Sequence, residues 1–233
     1  MAKTVGILGQ SGEGKSTSIV INPDGSYNQA EYLGMNPKST VIINSDRKDL
    51  PFPSNGQWIE GRNVFTISDV KEIKSKLKEL NSIPGVKSVY IDTINGIMLD
   101  KEMMDKKKLT FDKWADLAYD IYELISFCNT ELRPDIIAYL SGHVTLFTDV
   151  DGNEAKCLIT NGRKLEKIKL ESKLPIVLFT NVSKGQKGQN VYQFETQANR
   201  STAKSPIGMF GDFLIPNSLK LIDDTIRNYY GIN

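Results

Sequence analysis

Apolar residues fall along the chain in short clustered runs, most of them closed by a glycine or a polar residue. Val5-Gly6-Ile7-Leu8 stops at Gly9, and Val41-Ile42-Ile43 ends at Asn44-Ser45-Asp46. Val86 to Ile91 ends at Asp92, Ile136 to Leu140 ends at Ser141-Gly142-His143, and Ile176 to Phe179 is a fifth run. Runs of this length without alternation predict strands covered on both faces, as in a parallel sheet. Helical spacings lie between them. Val70, Ile73, Leu77 and Leu80 recur on one face after Ser68, which reads as the cap. Trp114, Leu117, Ala118, Ile121, Leu124, Ile125 and Cys128 form an apolar stripe of helical period. This alternation predicts βαβ units and an α/β fold, with a mainly parallel sheet flanked by helices.

After His143 the texture changes. Thr145-Leu146-Phe147-Thr148 and Lys156-Cys157-Leu158-Ile159 flank an Asp-Gly turn, Asp151-Gly152, and predict a hairpin. A second hairpin is expected from Ile176–Phe179 to Val191–Phe194, around the glycine-rich loop 184–189. Asn217 to Tyr230 reads as a closing helix, with Leu219, Ile222 and Ile226 on one face. No repeat or linker interrupts the chain, so one domain spanning 1–233 is expected.

Composition narrows the class. The 233 residues carry 29 Lys plus Arg and 28 Asp plus Glu, which excludes histone-like basic proteins and acidic-tail proteins but not a local basic groove. No apolar run approaches the roughly 18 residues of a membrane span. The start, Met1 to Leu8, is too quickly interrupted for a signal peptide. Cys128 and Cys157 form neither a disulfide framework nor a metal pair, and with a lone His143 they argue against structural zinc. A soluble, cytoplasmic globular protein is the expectation.

One motif carries chemistry. Gly9-Gln10-Ser11-Gly12-Glu13-Gly14-Lys15-Ser16 fits the P-loop pattern G-x-x-x-x-G-K-[ST] after a strand and before a short helix expected over 15–21. Glycines let successive N–H groups point at phosphate oxygens, and a helix N-terminus would add positive potential. Gly9, Ser11, Gly12, Glu13, Gly14, Lys15, Ser16 and Thr17 are therefore the nucleotide-binding residues. Lys15 is assigned to the β- and γ-phosphates, and Ser16 with the strand-end Asp92 to Mg²⁺. A strand-end cap is the plainer reading of an Asp such as Asp92, but the P-loop displaces it. The residue after Asp92 is Thr93, where many P-loop ATPases carry a catalytic Glu. The neighbouring strand ends at Asp46, which becomes the candidate for orienting the attacking water. Its other reading is a loop carboxylate paired to Arg47 or Lys48. His143, at the carboxyl edge where open sheets bind ligands, either senses the γ-phosphate or is a satisfied strand-end histidine.

The P-loop, Tyr90-Ile91-Asp92-Thr93, Leu109-Thr110-Phe111-Asp112-Lys113-Trp114, Ser141-Gly142-His143 and the segment Thr202 to Phe210 occur in one order. In this the chain resembles the phage-encoded RecA-like ATP-binding proteins labelled AAA-domain or phage nucleotide-binding proteins, which are related to the Sak-type single-strand annealing ATPases. The resemblance covers most of the chain. It implies a RecA-like core with ATP and Mg²⁺ as cofactors, and assembly into homo-oligomeric rings or filaments. It also implies action on single-stranded DNA in phage recombination or replication, beside other phage recombination proteins in the host cytoplasm. It gives Lys15 and Ser16 the phosphate and metal roles, Asp92 the strand-end metal role, and His143 the position before the DNA-contacting loop.

The basic runs Lys106-Lys107-Lys108 and Arg163-Lys164 are candidate DNA contacts, with Phe111 and Phe147 as the nearest stacking rings; a solvated face is their other reading. Arg163, Lys164, Arg200 and Lys204 are candidates for a cation reaching a neighbour's ATP site, with Arg200 and Lys204 at the better-placed interface. Two other functions stay open. A nucleotide-gated binding module without turnover fits the missing Glu. A small-molecule or nucleotide kinase fits less well, because the six arginines never cluster into a phosphate clamp.

Overall fold

The computed structural model describes residues 1–104, 112–148, 152–160 and 169–232, and the side chains of all of these except 112–115 and 118. The apolar runs become strands at the expected places: β1 (Lys3–Leu8), β2 (Thr40–Asn44), β3 (Val64–Phe65), β4 (Ser88–Asp92), β5 (Ile137–Gly142) and β8 (Ile176–Lys184). Between β5 and β8 lie β6 (Val144–Thr148) and β7 (Glu154–Leu158). After β8 come β9 (Asn190–Glu195) and β10 (Leu214–Pro216). Eight strands form one sheet in the order β10-β9-β8-β1-β5-β4-β2-β3. From β8 to β3 every neighbouring pair is parallel, while β9 and β10 add on antiparallel. The second expected hairpin is thus not an appendage: its first strand is the last parallel strand of the core. The first expected hairpin, β6–β7, stands apart as a two-stranded antiparallel sheet.

Both faces of the main sheet are covered, which is why its strands are continuously apolar. On one face α1 (Val70–Asn81), α2 (Ile94–Met104) and α3 (Asp112–Thr130) pack against Leu8, Ile43, Val89, Ile91, Ala138 and Leu140. Ile73 and Leu77 of α1 are fully buried there, each burial contributing about 1.5–3 kcal/mol. Of the α3 stripe, Leu117, Ile121, Leu124, Ile125 and Cys128 are buried, and the side chains of Trp114 and Ala118 lie outside the described ones. On the other face α4 (Leu219–Tyr230) packs Leu219, Ile222 and Ile226 against Val5, Ile7, Tyr139 and Leu178.

Three local expectations change. The cap of α1 is Asp69, not Ser68: the Asp69 carboxylate accepts from the amides of Lys71 and Glu72, the geometry of an N-cap one residue before the helix. The segment after Asp92, where the sequence pattern predicts no helix, is α2, which buries Ile94, Ile97 and Met98. The helix expected over 15–21 is a single 3-10 turn at Thr17–Ile19. Thr17, Ile19, Val20 and Ile21 are β-branched and Pro23 follows, so the segment is a poor helix former with a stop built in. Asn22 then reverses the chain, its N–H donating to the Ser26 carbonyl at 2.8 Å.

Candidate functional site

The carboxyl ends of β1, β5, β4 and β2 meet at one edge of the sheet. The Gly9 amide donates to the Gly142 carbonyl at 3.1 Å, fastening the start of the P-loop to the end of β5. A Cβ on Gly9 would sit 1.7 Å from Thr180 Oγ1, so no other residue fits there. Gly14 has φ of 91°, in the left-handed region that glycine adopts without strain. Among the described residues the amides of Gly12, Gly14, Lys15 and Ser16 donate to no other group, which leaves a ring of N–H donors around the loop. With only a three-residue turn behind it, the loop takes little from a helix dipole; what it can offer an anion is its free donors and Lys15.

Lys15 is 6% exposed, and its Nζ donates to the Gly9 and Gln10 carbonyls, both at 2.8 Å. Burial pulls its pKa below 10.5, against the opposing attraction of Asp92 and Glu13. Ser16 Oγ donates to Asp92 Oδ2 at 2.5 Å, joining groups 76 residues apart in sequence. Asp92 is 2% exposed, and Ser141 Oγ holds its other carboxylate oxygen at 2.7 Å. The Asp92–Thr93 peptide bond is cis. Asp46, just beyond β2, accepts from Thr93 Oγ1 at 2.8 Å and from Lys48 Nζ at 2.6 Å. Burial alone would raise the Asp46 pKa, but the hydrogen bonds from Lys48 and Thr93 carry it below the ordinary value. The ion pair read as the alternative for Asp46 is therefore formed, and with Lys48; Arg47 pairs instead with Asp100 at 3.3 Å.

His143 Nδ1 lies 3.5 Å from Lys15 Nζ. Its amide donates to Asn95 Oδ1 at 2.7 Å, and Asn95 Nδ2 donates to the Ile159 carbonyl at 3.1 Å. Gln10 Nε2 donates to the Val144 carbonyl at 3.2 Å. The P-loop is thus tied directly to the β6–β7 hairpin. Burial and the charge of Lys15 lower the His143 pKa below 6.5, with Lys48 adding to this and Asp46 opposing it. Neutral His143 therefore favours the fold fully above pH 6.5. That contribution is lost as the pH falls through the lowered folded value, because the unfolded chain takes up the proton first. Thermal unfolding followed from neutral pH to about pH 5 should fall more steeply for the wild type than for His143→Gln; parallel curves would show His143 to be solvated and electrostatically idle.

The other expected site residues divide by place. Thr17 Oγ1 donates to the Gly14 carbonyl at 3.1 Å, inside the loop. Ser11 and Gly12 are exposed at the mouth. Glu13 turns its carboxylate onto the loop, accepting from Gln10 N at 2.7 Å and Thr180 Oγ1 at 2.6 Å. Lys204 pairs through its backbone with Val177, and its side chain lines a hollow with Lys3 at the opposite edge of the sheet. Arg200 is exposed beside β7, its carbonyl accepting from Lys156 N at 2.8 Å. Neither lines the cleft of its own chain. Lys106, Lys107, Lys108, Phe111, Arg163 and Lys164 lie outside the described residues. Phe147 carries the Lys169 ammonium 3.9 Å above its ring. Arg47, Arg62, Arg133 and Arg227 are bonded away from the cleft, which removes four of the six arginines from any phosphate clamp.

These groups open on a cleft of about 820 Å³, running from Lys15, Asp92 and His143 to Tyr192 and Asn217. No motif or spacing announces the far wall. Tyr192 sits on β9, and Asn217, 2% exposed, presses its amide against Gly14. Lys48 was visible only as a partner for Asp46, yet it lines the cleft. Among the described residues no helix is long and apolar enough to cross a membrane, and no group of three or more His, Cys, Asp and Glu is placed to hold a metal alone. The two oxygens of Ser16 and Asp92 suit a hard cation that keeps waters and shares phosphate oxygens, as Mg²⁺ does.

No family model and no curated protein matches this chain. Among solved structures it is similar to a KaiC-like protein from the hyperthermophilic archaeon Pyrococcus horikoshii OT3, at 12% identity over 88% of this chain and 82% of that one, with a TM-score of 0.45.

Proposed function

We propose that the protein is a P-loop ATPase that binds ATP with Mg²⁺ in the cleft above β1, and that single-stranded DNA, bound by a homo-oligomeric ring or filament, raises its turnover. The observation that carries the ATPase reading is the 2.5 Å contact between Ser16 Oγ and Asp92 Oδ2. It brings the P-loop hydroxyl and a buried strand-end carboxylate together directly beside Lys15. Ser16 and Asp92 would hold the Mg²⁺, which supplies charge neutralisation at the phosphate oxygens. The loop amides and Lys15 bind and orient the triphosphate. Asp46 orients a water, whose oxygen forms a bond to the γ-phosphorus as the bond from that phosphorus to the β,γ-bridging oxygen breaks. ADP leaves with the electron pair, and the water proton passes to the Asp46 carboxylate and then to solvent. His143 and Gln10 link the phosphate end to the β6–β7 hairpin, a route by which nucleotide state reaches the candidate DNA segments.

The test is ATP hydrolysis by the purified protein with and without single-stranded DNA, beside Lys15→Met. A Lys15-dependent rate that rises with DNA is the expected result. A Lys15-dependent rate indifferent to DNA removes the DNA partner and leaves the ATPase. A second reading, a nucleotide-gated binding module, is favoured by one observation: both oxygens of Asp46 are already engaged, by Lys48 and Thr93. Tight ATP binding with no turnover in either condition would select it.

A further inference from the structure

We infer that Lys48 is the cation that neutralises the γ-phosphate during hydrolysis, that it acts within its own chain, and that in moving to the phosphate it releases Asp46 to the attacking water. The inference rests on the ATPase reading above.

Three observations carry it. First, Lys48 lines the same cleft as Lys15, Ser16, Asp92, Thr93 and His143, facing the P-loop from the β2 side. Second, its backbone is fixed while its side chain is free to travel. Asn44 Nδ2 donates to the Lys48 carbonyl at 2.7 Å, and the two preceding amides, Ser45 and Asp46, donate to the Asp92 carbonyl at 2.7 and 3.1 Å. Arg47 is held through Asp100. The Lys48 side chain is nonetheless 59% exposed, and among the described residues its one partner is Asp46 Oδ2, at 2.6 Å. Third, that partner is the candidate for orienting water: Asp46 borders the cleft through its bond from Thr93 Oγ1, a residue that lines it, while Asp92 is taken up by Ser16 and Ser141.

A half-exposed lysine–carboxylate pair is a weak bond. A triphosphate places several negative oxygens in the same cleft and outbids a single carboxylate for the ammonium. Moving to the γ-phosphate oxygens, Lys48 meets the charge that spreads over them in the transition state. The same movement vacates Asp46 Oδ2, which then accepts a hydrogen bond from the water. Oδ1 stays on Thr93 and keeps the carboxylate aimed. The bonds made and broken are those given above: water oxygen to γ-phosphorus, γ-phosphorus from the bridging oxygen, proton to Asp46. The ion pair that blocks the carboxylate before ATP binds is thus also the device that withholds water activation until a γ-phosphate is present. This arrangement asks for no cation from a neighbouring chain.

The experiment is steady-state ATP hydrolysis and equilibrium ATP binding for wild type, Lys15→Met, Lys48→Met and Lys48→Arg, together with an equimolar mixture of Lys15→Met and Lys48→Met. Lys48→Met is expected to lower kcat by about 10²–10³-fold, the scale of a lost charge-stabilising contact in a preorganised site, with a much smaller change in ATP affinity. Lys48→Arg should recover part of kcat. The mixture should be as inactive as its components, because each chain lacks a group its own site needs. Two results overturn the inference alone: a Lys48→Met protein that hydrolyses ATP as the wild type does, or a mixture that regains activity, which would place the lysine in a neighbour's site. A wild type with no Lys15-dependent hydrolysis overturns the ATPase reading itself, and the inference with it.

Discussion

Replacing Lys15 by methionine is expected to abolish function while leaving the nucleotide-free protein as stable as the wild type, or more so. The two effects have one cause. The ammonium is 6% exposed, and among the described residues it is held only by the carbonyls of Gly9 and Gln10 and a long contact to His143. Taking a charge out of water costs several kcal/mol, and the lowered pKa shows that the attraction of Asp92 and Glu13 does not repay it. Methionine keeps the stem's volume and drops the charge. Two carbonyls lose a donor, at about 1–3 kcal/mol for one that is buried, but Gln10 is exposed and finds water. Removing the charge therefore matches or exceeds the loss. Against ATP the balance reverses, because the ammonium then meets phosphate. Losing such a charge-assisted bond should weaken binding by about 10- to 100-fold and turnover by about 10²–10³-fold. Calorimetric melting without nucleotide and ATP titration read the two halves separately. The pH dependence identifies the cause. The wild-type penalty is relieved as the pH rises from the lowered folded value towards 10.5, since there the unfolded chain still binds the proton that the folded one has released. The wild type should gain on Lys15→Met across that window. A variant that melts well below the wild type at neutral pH would show instead that Lys15 is a net structural bond.

What the sequence revealed of this site follows how far apart its parts lie. The P-loop is contiguous, so Gly9 to Ser16 could be read directly. Asp92 and Asp46 were reachable by one further step, because parallel strands that alternate with helices put their carboxyl ends on one edge. Beyond that the signal fails for definite reasons. Tyr192 and Asn217 enter the cleft from an antiparallel extension of the sheet, and no local pattern announces which edge that extension covers. Thr180, which closes on Gly9 and Glu13, is a strand residue whose polarity looks incidental until the P-loop is folded over it. Lys48 was masked by its own ion pair, since a Lys two residues from an Asp reads as mutual satisfaction. The helix after the P-loop was expected from the motif and overruled by four β-branched residues and a proline. In α2, Asn95 and Gly96 weaken the helical pattern at its start, and the packing of Ile94, Ile97 and Met98 makes it regardless.

Asp223→Ala is expected to cause the largest loss of stability of any single change on the polar side of α4. From sequence Asp223 is one more acidic residue on an amphipathic helix. In the structure it is buried under the sheet and accepts from four donors. Ser88 Oγ donates at 2.7 Å, Tyr139 OH at 2.9 Å, and Arg227 through Nε at 2.6 Å and through Nη2 at 3.4 Å. Arg227 in turn donates to the carbonyls of Asp135 and Lys87, so the pair staples α4 to the amino edge of β4 and β5. Alanine would strand the guanidinium and two hydroxyls together. Breaking a buried pair from one side costs about 3–5 kcal/mol, which for a chain of this size lowers Tm by roughly 6–20 °C. Asp223→Asn, which keeps an acceptor for Ser88 and Tyr139, should lose less. The double change Asp223→Leu with Arg227→Met should recover much of the loss, because no buried charge is then left alone. A Tm for Asp223→Ala within a degree or two of wild type would show that water replaces the carboxylate and that the staple is not what holds α4. The effect should also reach the cleft. α4 is capped by Ser218, whose Oγ donates to the Ile21 carbonyl at 2.8 Å, and the residue before it is Asn217, packed on Gly14. A helix loosened at Asp223 therefore loosens the far wall of the cleft. On the proposed ATP reading the ligand binds the folded chain alone, so saturating ATP should raise the melting temperature of Asp223→Ala less than that of Asp223→Asn.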